Sequence, residues 1–265
     1  MKRKFFAYPY IVWMILFIVV PMFFIIYYAV NVGGHFTLTK FWATLSNKLN
    51  WLVLWRSVVI SLKTTVICLL LAYPIAYILS NMKKSVAGFI SVLFFVPMWM
   101  NFVLRTYAWK SILEYMVPAL GKALGNEGSV LMVLVYDFLP FMILPLYNTL
   151  SKLDKALLEA SRDLGANSVQ TFFRVVLPLS VPGIVSGVTM VFIPAITAFS
   201  VPELIGKGKY QLYGNIIETA FKTNSSAGDY SVGSTLSIIL LISVLVSTLI
   251  MNHFDKDQQQ GGQMW

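Results

Sequence analysis

Apolar positions along this chain come in long runs separated by short polar pieces, and the runs have the length of a membrane crossing. A transmembrane helix needs about 20 mostly apolar residues to span the hydrocarbon layer. Runs of that size lie near residues 8–30, 57–79, 86–109, 129–150, 180–202 and 231–253. The pattern predicts an all-α integral membrane protein with six spans, and an even number puts both ends of the chain on one side. Pro21, Pro74, Pro97, Pro140, Pro145 and Pro194 fall inside the runs. Each removes a backbone donor and predicts a kink of the kind that often flanks a cavity. Gly183 and Gly187 give the fifth run a small face suited to close helix packing.

The polar piece between the fourth and fifth runs, residues 151–179, has a different period. Leu153, Ala156, Leu157, Ala160 and Leu164 recur at helical spacing, with Lys155, Glu159, Arg162 and Asp163 on the other side, so a short amphipathic helix is expected with Asp154 at its start. Gly165 follows the last periodic residue, where a left-handed backbone favours glycine. Asn167 and Gln170 then have the spacing of a capping box, and Val169, Phe172, Phe173, Val176 and Leu177 form the apolar face of a second helix that Pro178 should end. The product is a helix–turn–helix elbow lying against a membrane.

Composition supports the membrane reading. Of 265 residues 58% are hydrophobic and 12% charged, against roughly 25% charged in soluble domains. Cys68 is the single cysteine, and with two histidines it excludes a disulfide framework and a thiolate or imidazole metal cluster. The net charge of +9 is dispersed between apolar runs rather than gathered into a stripe for nucleic acid. Lys2, Arg3, Lys4, Lys83, Lys84, Lys152, Lys155, Arg162 and Arg174 fall on one side of a six-span topology. The preference for positive charge inside makes that side the cytoplasm. Residues 1–7 are then a cytoplasmic N-terminus, 8–253 the permeating domain and 254–265 a polar, disordered cytoplasmic tail. The first run is longer than a signal-peptide core and lacks a small-residue cleavage site, so it is expected to be retained. The piece from Asn31 to Arg56, with Trp42, Trp51 and Trp55, suits an external loop with interfacial anchors. Lys63 sits near the outer end of the second run, where its ammonium can reach water.

Candidate chemistry is sparse. No GxxxxGK[ST] phosphate loop occurs, so the chain is not expected to bind ATP. No Ser/His, His/Glu or paired-Asp arrangement in the runs suggests an enzyme, and no internal repeat points to an ion-coupled secondary transporter. Carboxylates inside apolar runs are the informative minority. Asp137 lies roughly 12 Å into the fourth run at 1.5 Å per residue, flanked by Tyr136 and Phe138. It suits either a cationic solute or an ion pair with Arg105. Glu203, after Pro202, is a second carboxylate at the outer end of the fifth run. Trp99, Tyr107 and Trp109 in the third run, with Tyr136, could offer ring faces to an organic cation; an interfacial belt or core packing is the alternative for each. Glu159 is either a functional group or a solvated helix charge.

The order Glu159, Ala160, Ser161, Gly165, Val175, Leu177 and Pro178 resembles the EAA loop of ABC-importer permeases, with Ser161 at the family's second alanine. That resemblance implies a type I permease fold and a cytoplasmic loop whose coupling helix docks on an ATPase subunit. Glu159, Ala160, Ser161, Leu164, Gly165, Leu177 and Pro178 would be the coupling residues. The segments VPMWMNFVLRTYAWKSIL, YDFLPFMILPLYNTLSKLDKALLEASRDLGA and LPLSVPGI are similar to the first permease subunit of spermidine/putrescine importers. The narrower resemblance implies polyamine uptake across a bacterial cytoplasmic membrane by alternating access; importer permeases for other small solutes share the elbow, so another small solute is the alternative. Its implied partners are a second, homologous permease, a pair of ATPase subunits that hold ATP and Mg, and an extracellular polyamine-binding protein.

Overall fold

The structure is a computed structural model that describes residues 7–32, 34–116, 124–225 and 230–261. The first run forms α1 (Ala7–Met14), a π-helical turn over Ile15–Val19 and α2 (Val20–Val30). A short hairpin of β1 (Asn31–Val32) and β2 (His35–Phe36) leads to α3 (Thr39–Ser46). Then come α4 (Lys48–Ser80), α5 (Lys84–Phe95), α6 (Phe102–Ser111) and α7 (Glu127–Leu150). The elbow is α8 (Lys155–Asp163), α9 (Ser168–Thr171) and a π-helical turn over Phe172–Val176 that leads into α10 (Leu177–Ile196). The chain closes with α11 (Ser200–Ile205), α12 (Tyr213–Ser225) and α13 (Ser231–Gly261).

Five stretches are long and apolar enough to cross a membrane: Pro9–Val30, Lys48–Ser80, Glu127–Leu150, Ser168–Ile196 and Ser231–Met251. The pair Lys84–Trp99 and Phe102–Tyr115, bent by 87°, makes a sixth when taken as one broken span. The core is built where α4, α7 and α10 meet. Ile60, Cys68, Ala72 and Ala76 on α4 pack with Val130, Leu134, Met142 and Leu146 on α7 and with Val191 and Ala195 on α10, all of them buried. Gly183 and Gly187 do close the approach of α10 to α7. A Cβ on Gly187 would stand 2.5 Å from Met142 Sδ, and one on Gly183 would stand 2.7 Å from Thr149 Oγ1. By contrast, the most apolar window of the first span has no buried residue. That span leans on the bundle through α2 and α13.

Several boundaries differ from the sequence expectation, each for a local reason. The second span begins at Lys48, so Trp51 and Trp55 ride on its first turns rather than in a loop. Asn47 caps that start by accepting from Leu49 N at 3.0 Å. The third run is two helices rather than one kinked helix. Pro97 sits in a tight turn over Val96–Trp99, Met100 is extended, and Asn101 restarts the helix by accepting from Val103 N at 2.9 Å and Leu104 N at 3.3 Å. Pro74, Pro140, Pro145 and Pro194 stay inside continuous helices.

Pro178 does not end the elbow's second helix, which runs on into the fifth span. The turn before it is π-helical, with Leu177 N donating to Phe172 O five residues back. A widened turn makes room for a ring that has no N–H and would otherwise press on the preceding carbonyl. The same arrangement precedes Pro21, where Val20 N donates to Ile15 O. The polar tail is helical as far as Gly261, continuing α13, rather than disordered from residue 254. Glu203 lies on α11, separated from the fifth span by a break after Ile196. Lys63 pairs with Glu127 at the start of α7.

Candidate functional site

Two places in the fold concentrate polar design, and the first is the elbow. Asp154 Oδ1 accepts from Ala156 N at 3.0 Å and starts α8. Gly165 ends it with φ +82°. Gly165 N donates to Arg162 O at 2.8 Å and Ala166 N to Ser161 O at 3.1 Å, the paired bonds of a Schellman stop. Asn167 and Gln170 complete the reciprocal capping box at 2.8 and 3.0 Å. Ser161 and Thr171 hydroxyls, 3.0 Å apart, tie the two limbs together.

The second limb is anchored to the bundle. Phe172 meets the rings of Tyr73 and Tyr77 on α4 at 5.5 and 6.0 Å, and the Tyr73 hydroxyl lies 2.8 Å from Ser180 Oγ on α10. The first limb is not anchored in this way: α8 has no buried residue. Leu164 at the turn is 89% exposed. A groove of about 600 Å³ runs through the crook, lined by Ala160, Ser161, Leu164, Gly165, Val175 and Pro178 among others. Glu159 is exposed and, among the described residues, forms no ion pair. Of the predicted elbow residues, Ala160, Ser161, Leu164, Gly165 and Pro178 therefore line one outward-facing groove, while Glu159 and Leu177 fall outside its lining, and α8 touches the core only through the half-buried Leu158.

The second place is a buried ion pair. Asp137 lies ten residues into α7, about 15 Å from its start at 1.5 Å per residue. It is 1% exposed. Arg105 Nε on α6 donates to its Oδ1 at 2.6 Å, and Arg105 is itself only 7% exposed. Arg105 Nη1 donates to Pro97 O at 2.9 Å, and its guanidinium carbon stands 5.5 Å from the Phe102 ring and 5.9 Å from the Tyr136 ring. Trp109 meets Tyr136 edge to face at 5.0 Å. Three of the residues singled out from sequence, Asp137, Tyr136 and Trp109, thus share one cluster, and Arg105 is at its centre.

The other sequence candidates lie apart from it. Trp99 is 80% exposed. Tyr107 is also exposed, with Lys110 Nζ 6.0 Å from its ring. Glu203 stands 3.6 Å from Lys222 Nζ, which Glu218 holds at 2.7 Å. Hydrogen bonding and charge from Glu218, then the charge of Glu203, hold the Lys222 ammonium above its ordinary pKa. A cavity of about 160 Å³ lies beside these acids, lined also by Gln211, Asn215 and Thr219. Glu218 was missed in the sequence, although its spacing of four from Lys222 is the signal of a helical ion pair. α11, which carries Glu203, packs on α6, which carries Arg105.

Comparison with known proteins places the chain in a family. The family described as "Binding-protein-dependent transport system inner membrane component" matches residues 69–260. The spermidine/putrescine transport system permease protein PotB of Haemophilus influenzae is 37% identical over 91% of this chain and 89% of its own length. PotB of Escherichia coli K12 is 35% identical over 90% of this chain and 92% of its own. In solved structures, the fold is similar to a chain of a bacterial ABC transporter that imports the acidic polysaccharide alginate, with a TM-score of 0.71 at 16% identity over 97% and 96% of the two chains. A chain of the MetNI methionine ABC transporter gives 0.62 at 18% identity over 80% and 99%. The chain belongs to the family of inner membrane components of binding-protein-dependent transport systems, as a non-catalytic permease subunit with the all-α fold of ABC importers.

Proposed function

We propose that this chain is the permease of an ATP-driven importer of polyamines, spermidine and putrescine among them. The observation that carries the substrate class is identity of 35–37% to PotB proteins along nine-tenths of the chain. The elbow is the coupling element of this reading. Its coupling helix, α8 with the Gly165 turn, docks on one of a pair of ATPase subunits that hold ATP and Mg, while this chain holds neither. A second permease and an extracellular polyamine-binding protein complete the complex. Both termini face the cytoplasm, by the excess of basic residues on the elbow side.

Transport then proceeds by alternating access. ATP-driven closure of the ATPase pair moves the elbow, and Phe172 against Tyr73 and Tyr77 passes the movement to α4. Of the carboxylates, Glu203 with Glu218 beside the 160 Å³ cavity suits an ammonium group by charge pairing, whereas Asp137 is taken by Arg105 among Tyr136 and Trp109, and Trp99 and Tyr107 lie apart from that cluster.

The test is uptake into proteoliposomes by the complete complex, with radiolabelled spermidine on its binding protein and ATP inside. ATP-dependent accumulation, competed by excess putrescine, is the expected result. Accumulation of a different solute, with spermidine ignored, would retain the permease and discard the polyamine.

A further inference from the structure

Arg105 places a charge inside the apolar body of the third span, where Phe102–Phe138 and Trp109–Tyr136 ring contacts also join α6 to α7. It sits on α6, after the break. Its Nη1 reaches back across the break to Pro97 O at 2.9 Å, and its Nε reaches across to Asp137 Oδ1 on α7 at 2.6 Å. The 87° bend of the span falls between the segments that carry these atoms. One guanidinium therefore ties the turn before the break to the helix after it, and that helix to the fourth span. A planar fork with donors on several sides can do this, whereas a lysine ammonium at the end of a flexible stem cannot hold the two acceptors in the same geometry.

The arrangement is strong but incomplete. Asp137 uses one oxygen for Arg105, while its Oδ2 is buried without a hydrogen-bond partner among the described residues. A fork donating to both oxygens would bind more tightly. The guanidinium is instead divided between a carboxylate and a backbone carbonyl, one donor to each. α11, which carries Glu203, packs on the same α6.

We propose that Arg105 is a positioning residue for transport: it latches the bent third span onto the fourth, and the latch releases when the path opens. The inference rests on the transport reading above, and it is independent of which solute is carried. With the latch closed, the break in span three is held at its angle and the ATPase cycle waits for a loaded binding protein. Without it, the third span moves freely and ATP is hydrolysed to no purpose.

The experiment compares wild type with Arg105→Gln, Arg105→Lys and the double variant Arg105→Gln/Asp137→Asn, each as the full complex in proteoliposomes. Two quantities are read: ATP hydrolysis with no binding protein present, and solute taken up per ATP when loaded binding protein is added. Loss of the guanidinium's two contacts from a two-state latch should raise the first on the order of tenfold and lower the second. Arg105→Lys should fall between, and the double variant should stay uncoupled although it buries no unpaired charge. Arg105→Gln with wild-type values of both quantities overturns the latch, and so does a double variant that couples normally. A purely structural Arg105 would reduce the amount of complex and leave uptake per ATP unchanged. If neither neutral variant assembles, Arg105 is structural and the latch is overturned. Failure of the polyamine reading appears separately, as wild type that does not answer to polyamine, and it leaves the comparison of binding-protein-free hydrolysis intact.

Discussion

The Ser161 hydroxyl lies 3.0 Å from that of Thr171, bridging the two limbs of the elbow across the crook. Thr171 is buried and Ser161 half-buried, so the bond is shielded on one side. A neutral hydrogen bond of this kind contributes about 1 kcal/mol net. Ser161→Ala should lower uptake per ATP by a few-fold, with Thr171→Val giving a similar loss. Because the two hydroxyls act on each other, the double variant should be little worse than either single one. Additive losses in that cycle would show that the limbs are held by packing instead.

At Gly165 the same elbow gives a graded prediction. Its φ of +82° is unfavourable for any residue with a Cβ, yet the space around that Cβ is open. Alanine should therefore cost only the backbone strain, about 1 kcal/mol. Proline cannot reach positive φ and also removes the N–H that bonds Arg162 O. Stimulation of ATP hydrolysis by loaded binding protein should survive in Gly165→Ala and disappear in Gly165→Pro, with both complexes assembled. Equal behaviour of the two variants would mean that the turn geometry does not matter for coupling.

Lys222 offers a test by pH. Its pKa is raised chiefly by Glu218 and further by Glu203, so the folded state holds the proton more firmly than the unfolded chain. The stabilising effect is then fully present below the ordinary lysine value of about 10.4, and it is lost as pH rises through the folded pKa. Glu218→Gln should lower thermal stability by the same increment at every pH from about 6 to 9, and the gap should close only in strong alkali. A gap that opens or closes between pH 6 and 9 would place the titrating group elsewhere.

What was legible in the sequence follows from how local each feature is. The elbow is set by caps within four residues, Asp154 to Ala156, Asn167 to Gln170, and by a glycine stop, so its pattern shows directly. The six apolar runs are equally plain, because length and composition alone qualify a span. The break at Met100–Asn101 was hidden because nearby Pro97 suggested a kink, while the element that restarts the helix is a single Asn cap. Pro178 misled for a related reason: a π-helical turn absorbs a proline that α-helical geometry would reject. Arg105 and Asp137 are 32 residues apart, and their pairing depends on how α6 meets α7. Sequence could offer that pair only as an alternative. The Glu203, Glu218 and Lys222 group joins two helices in the same way and was only partly visible.

Gly187 is where helix packing sets the strictest limit. A Cβ there would meet Met142 Sδ at 2.5 Å, with Met142 O and Pro145 Cγ both at 3.4 Å behind it. Met142 is fully buried, so its thioether has little room to turn aside. Gly183, one turn nearer the elbow, would place its Cβ 2.7 and 2.8 Å from Thr149 Oγ1 and Cβ, and 3.0 Å from Pro145 O. Gly187→Ala should therefore cost about 1–3 kcal/mol by overpacking, and Gly183→Ala should cost at least as much. Shortening the neighbour should separate the two sites. Met142→Ala ought to rescue Gly187→Ala in part, since the new methyl fills some of the space the thioether leaves, and it should leave Gly183→Ala unchanged, because the clash there is with Thr149. Thermal unfolding of the detergent-solubilised complex reads both. Rescue of Gly183→Ala by Met142→Ala would mean that α10 moves as a whole, and that the two glycines report one helix separation rather than two separate contacts.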